Sequence, residues 1–266
     1  MQFEMKIALF QLGWLGDSVM TVPSMWILRN RFPRARVIRV INSRMSDFFE
    51  GCPYVDEVIP FDRETHKVHE GMRLLMRLRE SGVHAFFNLH TPDFDRPFRH
   101  YFRDNFFAFL TRARIRAAYV HSVDAIFVTN PVSIRDFGGE RMDREMLKVV
   151  EAVVGRVCVE YRDVSFWVSE EEVRDAKRLL AEVSITGEDE FFAVAPFAKR
   201  PSKEWEAVRW GEVIRKLVGE TGMKAVILGS PSDSARVEKI IAAAGGTLPS
   251  LVGRTSIKQA AGVLKG

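Results

Sequence analysis

The chain has 266 residues, 47% hydrophobic and 28% charged, with 39 Lys and Arg against 35 Asp and Glu for a net charge of +4. These are the proportions of a globular protein with a real core, in one large domain or two ordinary ones. A modest positive excess favours acidic partners without separating nucleic acid, phosphorylated lipid and nucleotide. The longest apolar runs, such as Phe106 to Leu110, fall far short of the ~20 residues a membrane span needs. The N-terminus runs straight into a strand-like segment with no leader pattern, so a cytoplasmic protein is expected. Cys52 and Cys158 are far apart in apolar settings and read as buried thiols of a reducing compartment rather than as a disulfide.

In chain order, Met5 to Phe10 is an apolar run of strand length, followed by Gly13 and Gly16 and a helical pattern from Asp17 to Arg31. Arg36 to Asn42 reads as a strand, Arg44 to Gly51 as a helix and Val55 to Phe61 as a strand. Thr65 to Ser81 carries apolar residues at helical spacing, and His84 to Leu89 returns to strand. Asp95-Arg96-Pro97 opens an amphipathic helix through Leu110 in which aromatic and basic residues alternate. Val164 to Val168 is a strand-like restart. Ser169 with Glu172 forms a capping-box signature, and strands at 191–195 and 223–228 then alternate with helices at 202–220, 232–244 and 257–264. Such alternation predicts parallel strands joined by helical crossovers, hence an α/β fold of two Rossmann-like domains, residues 1–165 and 166–266. The second has fewer strands than a doubly wound sheet usually contains, so it is expected to be incomplete.

Gly13-Trp14-Leu15-Gly16-Asp17 is not the dinucleotide fingerprint, but its glycines let the backbone turn sharply and admit a ligand close to a helix start. On local sequence alone Asp17 reads as a helix N-cap. His66 and His69 lack any companion ligands in metal-site spacing, and the phosphate-loop and nucleophile-elbow motifs are missing. Neither a metal nor a cofactor is expected.

The segment Lys6 to Pro23, with Gly16-Asp17 followed by a short apolar stretch, Thr21 and Pro23, resembles the opening of family 9 glycosyltransferases, the ADP-heptose:lipopolysaccharide heptosyltransferases. Gly51-Cys52-Pro53-Tyr54-Val55-Asp56 is similar to that family's third-strand entry. Pro196-Phe197-Ala198 with Lys203-Glu204-Trp205 is similar to its donor motif, with Phe197 where the family usually has glycine. Leu228-Gly229-Ser230-Pro231-Ser232-Asp233 and Leu251-Val252-Gly253-Arg254-Thr255-Ser256 resemble the next two stations in order.

The resemblance implies a GT-B architecture, two domains facing a cleft, with acceptor in the first domain and ADP-heptose in the second. It implies Asp17 as general base on the acceptor hydroxyl, with Gly13 and Gly16 beside the acceptor, and Arg63, His66 and Lys67 as basic acceptor contacts. Those three also fit charges at a solvated helix start. Lys203 matches the lysine that contacts the donor phosphates, and Ser202 before it reads as a cap that sets both at a helix N-terminus. Gly229 and Asp233 match the nucleoside-binding station, and Asp233 fits equally an acid in a helix first turn.

The resemblance thus implies an inverting transferase moving heptose from ADP-heptose to the lipopolysaccharide inner core, with peripheral contact at the inner-membrane surface and no nucleic-acid partner. The rivals are another nucleotide-sugar transferase or epimerase of the same architecture and a truncated, non-catalytic nucleotide-binding protein. Family members continue into a D-[ST]-G-x-x-H loop beyond the helix matched by Ser256 to Leu264. The expectation is a donor site open on one side, weak ADP binding and no sugar transfer at a useful rate.

Overall fold

The computed structural model describes residues 5–61, 68–92, 99–158, 166–198 and 201–265. The chain divides into two compact units, Met1–Trp167 and Val168–Gly266.

The first unit is built on six strands, β1 (Lys6–Phe10), β2 (Arg36–Ile41), β3 (Glu57–Pro60), β4 (Ala85–Asn88), β5 (Ile115–Val120) and β6 (Asn130–Ser133). All are parallel, in the order β3-β2-β1-β4-β5-β6. A parallel sheet is covered on both faces, which is why β1, β2 and β4 are buried almost throughout rather than alternating, with Arg39 of β2 the charged exception. On one face Leu74 and Leu78 of α3 (Val68–Glu80) and Phe107 and Ala108 of α4 (Arg99–Leu110) pack on Ala8, Phe10, Ile38, Val40 and Phe86. Successive strand residues point to opposite faces. Ile7 and Leu9, both fully buried, therefore face the mutually packed α1 (Leu15–Met20), α2 (Val22–Arg31) and α5 (Met142–Val154).

The helical reading over 17–31 proves to be two helices. The Thr21 hydroxyl donates to the Ser18 carbonyl at 2.7 Å, and Pro23, which has no N–H, stands in the first turn of α2, so the chain breaks at Thr21. The helix expected over 44–51 is two 3-10 turns, Ser43–Met45 and Asp47–Phe49, the first started by Asn42 accepting from the Arg44 amide at 3.0 Å. Cys52 is buried as expected. Cys158 is exposed, beyond the end of α5; both thiols are free.

In the second unit, α6 (Glu170–Glu182) begins at the expected capping box: Ser169 Oγ accepts from the Glu172 amide at 3.1 Å and Glu172 accepts from the Ser169 amide at 2.7 Å. Residues 166–168 are not strand, and 164–165 lie outside the described residues. The parallel pair β7 (Phe191–Val194) and β8 (Lys224–Ile227) is extended by a parallel bridge from Ile227 to Ser250. Val226 and Leu228 point to one face, into a core shared with α6 and α9 (Ile257–Lys265). Ala225 and Ile227 point to the other, into a core with α7 (Ala207–Thr221) and α8 (Ser234–Ala244). Among the described residues no helix is long and apolar enough to cross a membrane.

Candidate functional site

Open parallel sheets bind ligands beyond the carboxyl ends of their strands, where the strand order reverses. In the first unit that point lies between β1 and β4, so the segments after Phe10 and after Asn88 form the expected site. The Leu12 amide donates to Nε2 of His90 at 2.9 Å and ties the two segments together. Nε2 therefore bears no proton, and Nδ1 donates to Asn88 Oδ1 at 2.9 Å with Asp104 Oδ2 3.5 Å away. Asn88 in turn donates to Asn105 at 3.0 Å, and Asn105 to Asp124 at 2.8 Å. This buried polar network makes the strand end rigid.

Asp17 is half-buried in the first turn of α1. It is not the N-cap itself, which is Trp14; its Oδ2 reaches back to accept from the Trp14 amide at 2.9 Å. That bond turns the carboxylate over Gly13, where a Cβ would stand 2.2 Å from Asp17 Oδ2 and 2.2 Å from Gln11 Nε2. Gly13 is thus required by close approach, whereas Gly16 faces open space. Beneath the loop, Gln11 Oε1 accepts from the wholly buried guanidinium of Arg39 at 3.2 Å. Burial lowers the Arg39 pKa to about 9, the Cys52 thiol opposing this, and its Nε and Nη1 have no hydrogen-bond partner among the described residues.

In the second unit the loops after β7 and β8 are joined by charges. Glu204 accepts from the Ala198 amide at 2.7 Å and pairs with Arg236, which also pairs with Asp233 and lies 4.9 Å from the centre of the Phe197 ring. The Ala198 hydrogen bond and Arg236 hold the Glu204 carboxyl below its ordinary range. Burial pushes Asp233 up, but hydrogen bonds from Ser230 and Arg236 outweigh it and leave its pKa lowered. Asp233 is 5% exposed; Oδ2 accepts from the Ser230 amide at 2.8 Å and hydroxyl at 2.6 Å, while Oδ1 takes Arg236. Both oxygens are engaged within the protein. Phe197 fills the space over Gly229, where a Cβ would stand 2.8 Å from its ring. The phenylalanine, where the resemblance implies glycine, is thus accommodated by a glycine opposite.

Ser202 and Lys203 do not begin the long helix. They lie on a 3-10 turn, Pro201–Lys203, and α7 starts at Ala207, because Glu204 is drawn away to Ala198 and Arg236. Lys203 is exposed and, among the described residues, has no hydrogen-bond or ion-pair partner. Arg63, His66 and Lys67 lie outside the described residues. Sequence reasoning missed His90, Gln11, Arg39 and Arg236. The signal for His90 was its position just past a strand that ends in asparagine; Arg236 was three residues after Asp233 on a helix.

Residues 137–266 match the model of glycosyltransferase family 9 (heptosyltransferase). The structure is similar to a family 9 glycosyl transferase from Veillonella parvula at TM-score 0.80 and 21% identity, covering 99% of this chain and 74% of that one. It is similar to E. coli ADP-heptose LPS heptosyltransferase II at 0.73 and 19%, covering 98% and 76%. It is also similar to E. coli heptosyltransferase WaaC with ADP at 0.69 and 13%, covering 98% and 78%. At these identities the likenesses establish the fold. No curated protein matches the sequence.

Proposed function

We propose, from the match of residues 137–266 to the model of glycosyltransferase family 9, that the chain is an inverting transferase that moves heptose from ADP-heptose to the inner core of lipopolysaccharide. The observation that carries this reading is the Asp17 carboxylate, half-exposed beyond β1, held by the Trp14 amide over a glycine whose Cβ would meet that carboxylate. An inverting transfer needs one carboxylate to take the acceptor proton while the nucleoside diphosphate leaves from the opposite face of the sugar. Asp17 is that base, and the open backbone at Gly16 admits the acceptor.

The first unit is the acceptor domain and the second the donor domain. In the second, the unpaired Lys203 meets the diphosphate. Asp233 serves the nucleoside by fixing the Ser230 loop and Arg236 rather than by a free carboxylate. The similarity to an E. coli ADP-heptose LPS heptosyltransferase and to WaaC with ADP supports a nucleotide-sugar donor.

A cytoplasmic enzyme acting on a lipid-anchored acceptor works at the inner-membrane surface. Phe102, Phe106 and Phe109 on α4 are 38%, 39% and 44% exposed and meet Phe127 at 5.2, 5.2 and 5.6 Å. Arg116 lies 5.6 Å from the Phe109 ring, so the aromatic face is edged by positive charge.

The direct test is incubation of the purified chain with ADP-heptose and a heptose-free core acceptor, followed by the anomeric configuration of the product. An inverted heptoside is expected. Epimerised nucleotide sugar without transfer, or transfer only from other nucleotide sugars, would overturn the reading.

A further inference from the structure

At the amino-terminal edge of the first sheet, opposite the Asp17 loop, a cavity of about 750 Å³ is lined by Met76, Arg79, Gly82, Val83, His84, Thr111, Arg112 and Arg114. That volume suits a small-molecule ligand. No carboxylate is among the lining residues, and none of the three arginines has a described hydrogen bond or ion pair from its side chain. The contrast is with neighbouring arginines: Arg77 is bonded to Glu57 at 2.7 Å, and Arg116 to the Phe127 carbonyl at 2.7 Å. Arg79 Nε is buried without a hydrogen-bond partner among the described residues.

One further feature aims the site at an anion. His84 Nδ1 accepts from the Lys6 amide at 3.1 Å, which leaves the ring proton on Nε2, a donor. Arg112, two residues past the end of α4, adopts φ 63°, the left-handed conformation in which helices commonly end. The bland alternative is that these arginines neutralise the carboxyl ends of α3 and α4, each of which carries roughly half a negative charge. Two such ends leave three guanidiniums about two charges in excess.

We propose that this cavity binds a phosphoryl-bearing anion, at a site separate from the transfer chemistry. The proposal is independent of the function proposed above, since its groups lie at the opposite strand ends from Asp17. The source of the phosphoryl group is a free phosphorylated solute or a phospholipid headgroup.

The test follows the His84 imidazole resonances of the full chain by NMR, with inorganic pyrophosphate and with phosphatidic acid vesicles as separate probes. A saturable shift is expected, weakened at least tenfold in the double variant R79Q/R114Q and in Arg112→Gly. The glycine variant relieves the φ strain, so it should melt at or above the wild-type temperature while losing the anion. A shift with pyrophosphate assigns a solute site; a shift with vesicles alone assigns a headgroup site. Unmoved His84 signals with both probes, or unchanged affinity in both variants, would overturn the proposal. A chain inactive in transfer but positive here would refute only the transfer reading.

Discussion

Leu12 and His90, 78 residues apart, are joined by a 2.9 Å hydrogen bond from the Leu12 amide to Nε2. The bond fixes the first loop to the end of β4 immediately before Gly13, and so sets where Asp17 stands. Removing the acceptor in His90→Ala should cost about 0.5–1.5 kcal/mol of stability. A small displacement of the base costs far more in rate, so kcat should fall by ~10- to 100-fold with donor affinity unchanged. An unchanged kcat would show that the loop holds its position without the histidine.

Asp17→Asn keeps an oxygen for the Trp14 amide but cannot take a proton, so transfer should fall roughly 100-fold or more with fold and ADP binding retained. Gly13→Ala should reproduce the loss by another route, because its methyl group would occupy the space of the Asp17 carboxylate. Its overpacking should also cost about 1–3 kcal/mol, read from denaturant unfolding. Near-normal turnover in D17N would remove Asp17 as the base.

Lys203→Ala should weaken ADP binding by about 1–3 kcal/mol, the range for a charge-assisted contact, and leave acceptor affinity unchanged. Calorimetry with ADP measures this directly. The opposite pattern would reverse the assignment of donor and acceptor to the two units.

The Glu204–Arg236–Asp233 cluster makes the second unit acid-sensitive. Both carboxyls titrate below their ordinary values of 4.5 and 3.8 in the folded protein. Their contribution is therefore complete above those values and is lost as the pH falls through the lowered folded ones. ADP affinity should hold down to the ordinary carboxylate range and collapse below it. In Arg236→Gln the collapse should begin at higher pH. A pH profile identical in the two proteins would show that the cluster does not organise the donor loops.

If the aromatic face of α4 rests on lipid, the chain should co-sediment with anionic vesicles and not with zwitterionic ones, and lose binding in Phe106→Ser. Because Phe106 is 39% exposed, that change should alter stability little. Equal sedimentation of F106S and wild type would move the contact elsewhere.

The strand, glycine loop and helix around Gly13 and Asp17, and the capping box at Ser169 and Glu172, were legible in the sequence because their causes are local. They depend on apolar runs, a sharp turn and bonds spanning three residues. The segments at 196–205, 228–233 and 251–256 lie within the residues that match the family 9 model. Other features depended on contacts distant in the chain. Nothing within the Lys203 segment announces that Glu204 bonds to Ala198 and to Arg236, 32 residues on, and so delays α7 until Ala207. Phe197 read as a departure until the fold set it against Gly229. His90 became part of the site only when β4 paired beside β1, since side chains far apart in sequence meet where the sheet's strand order, not the local pattern, brings strand ends together.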